Sequence, residues 1–68
     1  MRVRIVALGR NDAHYRPRNG KGFIGQTGRF QPRQYKGNGW YSGIFFPDNL
    51  DVLEYPNYIF FRVRVTEI

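Results

Sequence analysis

The sequence contains no cysteine among its 68 residues and one histidine, His14. Without cysteine the chain has neither a disulfide framework nor a thiolate zinc site. His14 has no second histidine to share a metal ion with, and protein metal sites are built from several ligands. The sequence therefore predicts no metal site and no cofactor.

Side chains that could carry out catalysis are equally scarce. The one serine, Ser42, has no evident base beside it, and a nucleophilic serine needs a base that a third group orients. The glycines between residues 20 and 28 are not followed by the Lys-Ser/Thr pair of a phosphate-binding P-loop. Asp48, Asp51 and Glu54 lie close together in sequence, in a pattern more typical of a solvated surface than of a cation site. We predict that the protein is not an enzyme and has no catalytic residues.

Long hydrophobic stretches are missing as well. No apolar run approaches the ~20 residues that cross a bilayer as a helix. The chain begins on a strand-like pattern rather than on a signal peptide. We expect a soluble, cytoplasmic protein that does not enter a membrane.

The two ends of the sequence have the clearest structural pattern. Residues 2–8 and 58–68 alternate between apolar and polar side chains, which is the period of a half-buried β-strand. In the last strand the alternation places Ile59, Phe61 and Val63 on the core side and Phe60 on the solvent side with the arginines. If the two strands pair, their arginines share one solvent face: Arg2, Arg4, Arg62 and Arg64.

Between these strands the sequence predicts three more, at residues 22–30, 40–46 and 50–54, separated by turn-rich segments. Residues 10–20 and 31–39 have no regular period and are predicted to be basic loops. No stretch has the period of a helix. The prediction is an all-β protein, a single five-stranded SH3-like barrel over residues 1–68.

One segment is similar to a known family. Gly20-Lys-Gly-Phe-Ile-Gly-Gln-Thr27 resembles the KOW motif of ribosomal and transcription-elongation proteins, in which a Gly-Lys-Gly turn and a further glycine follow a first β-strand. The resemblance implies a small barrel that binds nucleic acid or a protein of the transcription or translation machinery.

The basic residues are concentrated in one half of the chain. The net charge is +6, yet residues 1–36 carry +8 and residues 37–68 carry −2, and arginine outnumbers lysine by nine to two. Cations that neutralise phosphates, interleaved with aromatic rings that stack on bases, are typical of single-strand binding. We therefore predict a nucleic-acid-binding surface, for DNA or RNA, made of Arg10, Tyr15, Arg16, Arg18, Lys21, Arg29, Arg33, Tyr35, Lys36 and Trp40.

Some of these residues can also be explained by solubility or structure, without a binding role. The charge also serves solubility, and Tyr15 and Tyr35 also serve to fix their loops to the barrel. Trp40 and Tyr41 lie on opposite faces of one strand, so only one belongs to the core, and we expect Trp40 to be the exposed ring.

The phenylalanines indicate an alternative function. The neighbouring pairs Phe45–Phe46 and Phe60–Phe61 must each place one ring outward, and exposed apolar patches mark protein contacts. The alternative is a protein partner or a homodimer, as in a small, phage-encoded factor that docks on a host enzyme such as the transcription machinery. A continuous face of arginine and tyrosine favours nucleic acid, whereas a phenylalanine-centred patch with a basic rim favours a protein.

Overall fold

A closed ring of four antiparallel strands forms the protein, in a computed structural model that describes residues 1–12, 22–50 and 55–68. The strands are β1 (Arg2–Leu8), β2 (Thr27–Gly37), β3 (Trp40–Pro47) and β4 (Tyr58–Glu67), and a short 3₁₀ turn spans Arg10–Asp12. The all-β prediction is confirmed. The second strand begins at Thr27 rather than at Gly22, and the strand predicted at residues 50–54 lies, apart from Leu50, outside the described residues.

The ends of the chain pair, as the alternating pattern predicts. In β1 and β4, Val3 lies opposite Glu67 and Arg4 opposite Thr66. β1 also pairs with the start of β2, and β3 pairs with both β2 and β4, so that the sheet closes on itself. This closure removes the exposed edges that an open sheet of the same strands would have along most of its length.

The segment predicted as a basic loop, residues 31–39, is instead most of a long hairpin. β2 continues to Gly37, which lies opposite Trp40, and Asn38 and Gly39 form the two-residue turn with φ angles of 54° and 85°. Two positive φ angles define the turn type that matches the twist of paired strands, and Asn-Gly is its preferred sequence. Pro32 is tolerated because the pairing at this edge ends at Phe30, whose amide donates to the Met1 carbonyl and whose carbonyl accepts from the Met1 ammonium.

Aromatic rings fill most of the interior of the ring of strands. The buried apolar side chains are Val3, Ile5, Phe23, Phe30, Phe45, Tyr58, Phe60 and Val63. The Phe23 ring meets Tyr58 and Phe60 edge-on, with centroids 4.8 and 5.2 Å away. At Gly43 a Cβ atom would collide with the carbonyl oxygen of Gln31 and lie 2.7 Å from the Phe30 ring. The absent side chain therefore lets β2 and β3 approach closely around these large rings.

The alternation of β4 is interrupted by one irregularity, so the prediction of which side chains in its first half face inward is wrong. Tyr41 lies opposite Val63, but Gly43 lies opposite Phe60, so β4 contains one extra residue. This β-bulge turns Ile59 and Phe61 outward and Phe60 inward, the reverse of the prediction, while Val63 remains buried.

Candidate functional site

The outward surface of β2, β3 and β4 carries four cationic side chains and three aromatic rings. β3 presents alternate residues there, beginning with Trp40 and ending with Phe46. The bulge adds Phe61 from β4. We call this surface the cation–aromatic face, and it comprises Arg29, Lys36, Trp40, Phe46, Phe61, Arg62 and Arg64.

Every ring on the cation–aromatic face lies beneath at least one cation. The Arg29 guanidinium is 5.3 Å from the centroid of the Phe46 ring, and the Lys36 ammonium is 4.1 Å from that of Phe61. Such separations fall within the range of attractive cation–π contacts.

Trp40 is covered by two cations. The guanidinium carbons of Arg62 and Arg64 lie 5.0 and 4.7 Å from its ring. Arg64 lies directly opposite Trp40 and also donates a hydrogen bond of 2.8 Å to the Asn38 carbonyl. Trp40 therefore faces outward, as predicted, but it is half-buried, while Tyr41 packs against the core.

Two acidic side chains in the described part of the chain, Asp12 and Asp48, form their hydrogen bonds with groups other than these cationic side chains. Asp48 accepts two hydrogen bonds of 2.7 Å from the Arg2 guanidinium and one of 2.8 Å from the Thr27 hydroxyl. The hydrogen bonds from Arg2 and then from Thr27 lower the pKa of Asp48 to about 2. The same contact with Asp48 raises the pKa of Arg2 above its ordinary value.

Asp12 stabilises the β-bulge of β4 by hydrogen bonding. Its side chain is buried, and its two carboxylate oxygens accept hydrogen bonds from the backbone amides of Phe61 and Arg62, at 3.0 and 2.6 Å. A bulge leaves ladder groups without strand partners, and here a carboxylate from the 3₁₀ turn replaces the missing carbonyls. Because Asp12 fixes these two residues, it sets the direction in which the Phe61 and Arg62 side chains leave the sheet.

A groove of about 500 Å³ lies beside Phe61. One wall is the hairpin, which contributes Arg33, Gln34 and Lys36, and the other is formed by the 3₁₀ turn and β4. Ile59 and Phe61 line it, with 64% and 58% of their side chains exposed. Gln34 and Ser42 lie opposite each other across β2 and β3 and add hydrogen-bonding groups to the floor.

The structure brings together four of the predicted binding residues. Arg29, Lys36 and Trp40 lie on the cation–aromatic face, and Arg33 lies at the groove beside it. Arg10 is exposed in the 3₁₀ turn. The remaining candidates in the first loop fall outside the described residues: Tyr15, Arg16, Arg18 and Lys21.

Tyr35 lies on the other side of the hairpin. It is paired with Tyr41, with ring centroids 5.1 Å apart, and its hydroxyl accepts a hydrogen bond of 3.1 Å from the Gly39 amide. Tyr41 packs on the core, so Tyr35 shares the inner side rather than the face of Trp40. The tyrosine thus pins the hairpin turn, although its ring remains largely exposed.

Sequence reasoning omitted Phe61, Arg62 and Arg64 from the binding residues. The two arginines are part of the alternating pattern of the last strand, and their place opposite Trp40 follows only from the register of β3 with β4. Phe61 points outward only because of the bulge, and the distant Asp12 that stabilises the bulge gives no local sequence signal.

No group of three or more potential metal-binding side chains occurs among residues 1–12, 22–50 and 55–68. In the same part of the chain, no helix is long and apolar enough to span a membrane. Comparisons with models of protein families, with curated proteins and with solved structures gave no match. The similarity to the KOW motif therefore stays a prediction.

Proposed function

We propose that the cation–aromatic face binds single-stranded nucleic acid. The observation that carries the proposal is that each of the three outward rings lies within 5.3 Å of a cation and that, in the described chain, these cations form no salt bridge, although the charge of Arg29 also helps to lower the pKa of Asp48. Phosphates can replace the cation–ring contacts with stronger charge pairs, and the rings are then available to stack on bases.

The arrangement favours a single strand over a duplex. Aromatic rings on the surface of a sheet can only stack on bases that are not already stacked and paired, whereas a duplex offers its phosphates alone. The cations supply affinity for any sequence because they contact the backbone. Further cations in the first loop, Arg16, Arg18 and Lys21, add to the attraction in this proposal.

The test is fluorescence anisotropy with a labelled 12-nucleotide DNA or RNA strand at several salt concentrations. Each phosphate neutralised on a single strand contributes about −0.7 to the slope of log affinity against log salt, so four contacts give a slope near about −3. Weaker binding of a duplex of the same length is expected. Undetectable binding of every strand at low salt overturns the proposal.

We also propose the type of barrel and the position of a fifth strand. We infer a small SH3-like barrel related to KOW domains, in which the fifth strand, predicted at residues 50–54, starts after Leu50, since Leu50 lies in a turn. In the segment that resembles the KOW motif, Gly25 has a φ of 90°, a conformation that favours glycine. Nuclear magnetic resonance contacts between the amides of residues 50–54 and a neighbouring strand test it, and their absence contradicts it.

A second function is favoured by the apolar centre of the same surface. Ile59 and Phe61 are both more than half exposed, and Ile44 lies opposite Ile59 on β3. A phenylalanine-centred patch with a basic rim suits an acidic protein surface, such as that of a larger enzyme.

One substitution separates the two functions. Ile59→Ser removes apolar surface but no ring and no charge, so it weakens protein docking and leaves the salt slope of strand binding unchanged. The protein alternative replaces the first proposal if no strand binds and a purified acidic partner binds the native protein but not the Ile59→Ser variant.

A further inference from the structure

The groove beside Phe61 differs from the rest of the cation–aromatic face in its neutral polar groups. Gln34 and Ser42 form a cross-strand pair on its floor, and Asn11 lies at its other wall. Within the described chain none of these three side chains has a hydrogen-bond partner. A surface that only contacts phosphates has no need of paired donors and acceptors, whereas recognition of a base edge requires them.

We propose that this groove holds one unstacked nucleobase, with adenine preferred, together with its adjoining phosphate. The inference rests on the proposed function and adds a base-selective site to it. The base stacks on Phe61, the Gln34 amide pairs with the base edge, and Arg33 and Lys36 contact the phosphate.

The size and shape of the groove suit such a ligand. About 500 Å³ is within the range of sites for small molecules, which span roughly 300–1,000 Å³. Phe61 presents a ring that is 58% exposed, and Ile59 supplies apolar surface next to it. A flat heterocycle is the part of a nucleic acid that matches an exposed ring, and one phosphate matches the two cations on the hairpin wall.

The preference for adenine comes from the chemistry of the glutamine amide. Its oxygen accepts and its nitrogen donates, and adenine presents a neighbouring donor and acceptor that a glutamine binds with two hydrogen bonds. Ser42 can donate or accept beside it. In this proposal the glutamine contacts the edge of the base that carries N6 and N7 of adenine. On the same edge thymine, uracil and guanine present only acceptors and cytosine only a donor, so each of them loses one of the two bonds.

In this proposal the Lys36 ammonium contacts the Phe61 ring in the free protein and the phosphate in the complex. Its ammonium lies 4.1 Å from the centroid of Phe61, in the place that a stacked base would take. The lysine side chain is flexible, so the ammonium moves to the incoming phosphate as the base replaces it on the ring. Base binding and phosphate binding are thereby coupled at one residue.

The experiment uses eight-nucleotide thymidine strands that carry one central adenine, cytosine, guanine, thymine or abasic position. Their affinities are measured by anisotropy at constant salt. The adenine strand is expected to bind about fivefold or more tighter than the abasic strand. Gln34→Ala should equalise the four strands that carry a central base, and Phe61→Ala should lower the affinity of these four to about that of the abasic strand.

Matched controls come from the same chain. Gln31→Ala removes an exposed glutamine of β2 that does not line this groove, and Tyr35→Ala removes an exposed ring on the other side of the hairpin. Both variants should keep the preference for adenine. A circular dichroism melt of each variant shows that it is folded, and Phe61→Leu replaces Phe61→Ala if the latter unfolds.

The outcomes distinguish this inference from the proposed function. Equal binding of all five strands, with a normal salt slope, overturns the base site and leaves the cation–aromatic face as a phosphate-binding surface. A preference for adenine that survives Gln34→Ala also overturns it. If no strand binds at low salt, the proposed function fails and the base site fails with it.

Discussion

Two backbone amides depend on one carboxylate, that of Asp12. Removing the side chain leaves the amides of Phe61 and Arg62 without their acceptors inside a partly buried bulge. Hydrogen bonds to charged groups contribute more than neutral ones, and an unmade bond has the full desolvation cost.

We expect Asp12→Ala to lower the free energy of unfolding by about 2–4 kcal/mol, and Asp12→Asn by less because one acceptor oxygen is retained. Urea denaturation measures both. Asn11→Ala, at the exposed neighbouring position, is the control and should change little. An Asp12→Ala protein as stable as the native one would contradict the role assigned to the carboxylate.

The exposed ion pair Arg2–Asp48 should make the stability of the protein depend on pH. The pKa of Asp48 is lowered from 3.8 to about 2 in the folded protein, so the folded state favours the ionised carboxylate. Its contribution to stability is complete above the unfolded pKa and is lost as the pH falls from about 4 through about 2.

Thermal melts between pH 2 and pH 6 check this dependence. The native protein should lose stability over the acid end of that range more steeply than Asp48→Asn, in which the group does not titrate. High salt should reduce the difference, because both side chains are exposed to solvent. Parallel curves for the two proteins would show that the pair contributes nothing to folding.

At the scale of elements, the hairpin of β2 and β3 carries much of the candidate site. Its turn requires a positive φ at Gly39, which an alanine adopts only with strain. Gly39→Ala should therefore reduce stability by about 1–2 kcal/mol.

Asn38→Gly is the matched control, since its φ of 54° is easily adopted by glycine, and it should change stability by only a few tenths of a kcal/mol. Thermal denaturation distinguishes the two variants. Equal melting temperatures would mean that the turn does not limit the stability of the hairpin.

This hairpin also shows what the sequence could and could not predict. The pairing of β1 with β4 follows from local alternation alone, and so does the outward direction of Trp40. Asn38-Gly39 is a turn signal, but residues 31–39 have no regular period and are basic, and these features favour a loop. Those features are tolerated because this part of β2 has only β3 beside it.

The bulge in β4 cannot be predicted from the local sequence, and the cause is physical. Its carboxylate partner is about fifty positions away, at Asp12, and nothing near Phe61 in the sequence differs from a regular strand. The exposed side of the candidate site depends on this long-range contact. The sequence therefore predicts the outward direction of Trp40 but not that of Phe61.

At the scale of the whole molecule, charge and rings occupy one face of a small barrel whose interior is already full. The described core consists largely of aromatic side chains, and the outward rings are separate from it. The exposed side chains of the cation–aromatic face, those of Arg29, Phe61 and Arg62, can therefore be changed with little effect on the fold. Arg64 differs from them because it is half-buried and bonded to the hairpin turn.

The last prediction uses Trp40, the one tryptophan of the chain, as an internal reporter. A base that stacks on its ring should quench its fluorescence, whereas polyphosphate should occupy the cations without comparable quenching.

Arg62→Thr removes one of the two guanidiniums above the ring and should reduce the salt slope by about 0.7 while leaving the melting temperature nearly unchanged. The bulge amide of residue 62 still reaches Asp12, so the fold is retained. Titration of the native and Arg62→Thr proteins with a thymidine strand and with polyphosphate gives both quantities. Quenching that is independent of salt, or a slope that Arg62→Thr does not change, would place the contacts of the strand away from this face.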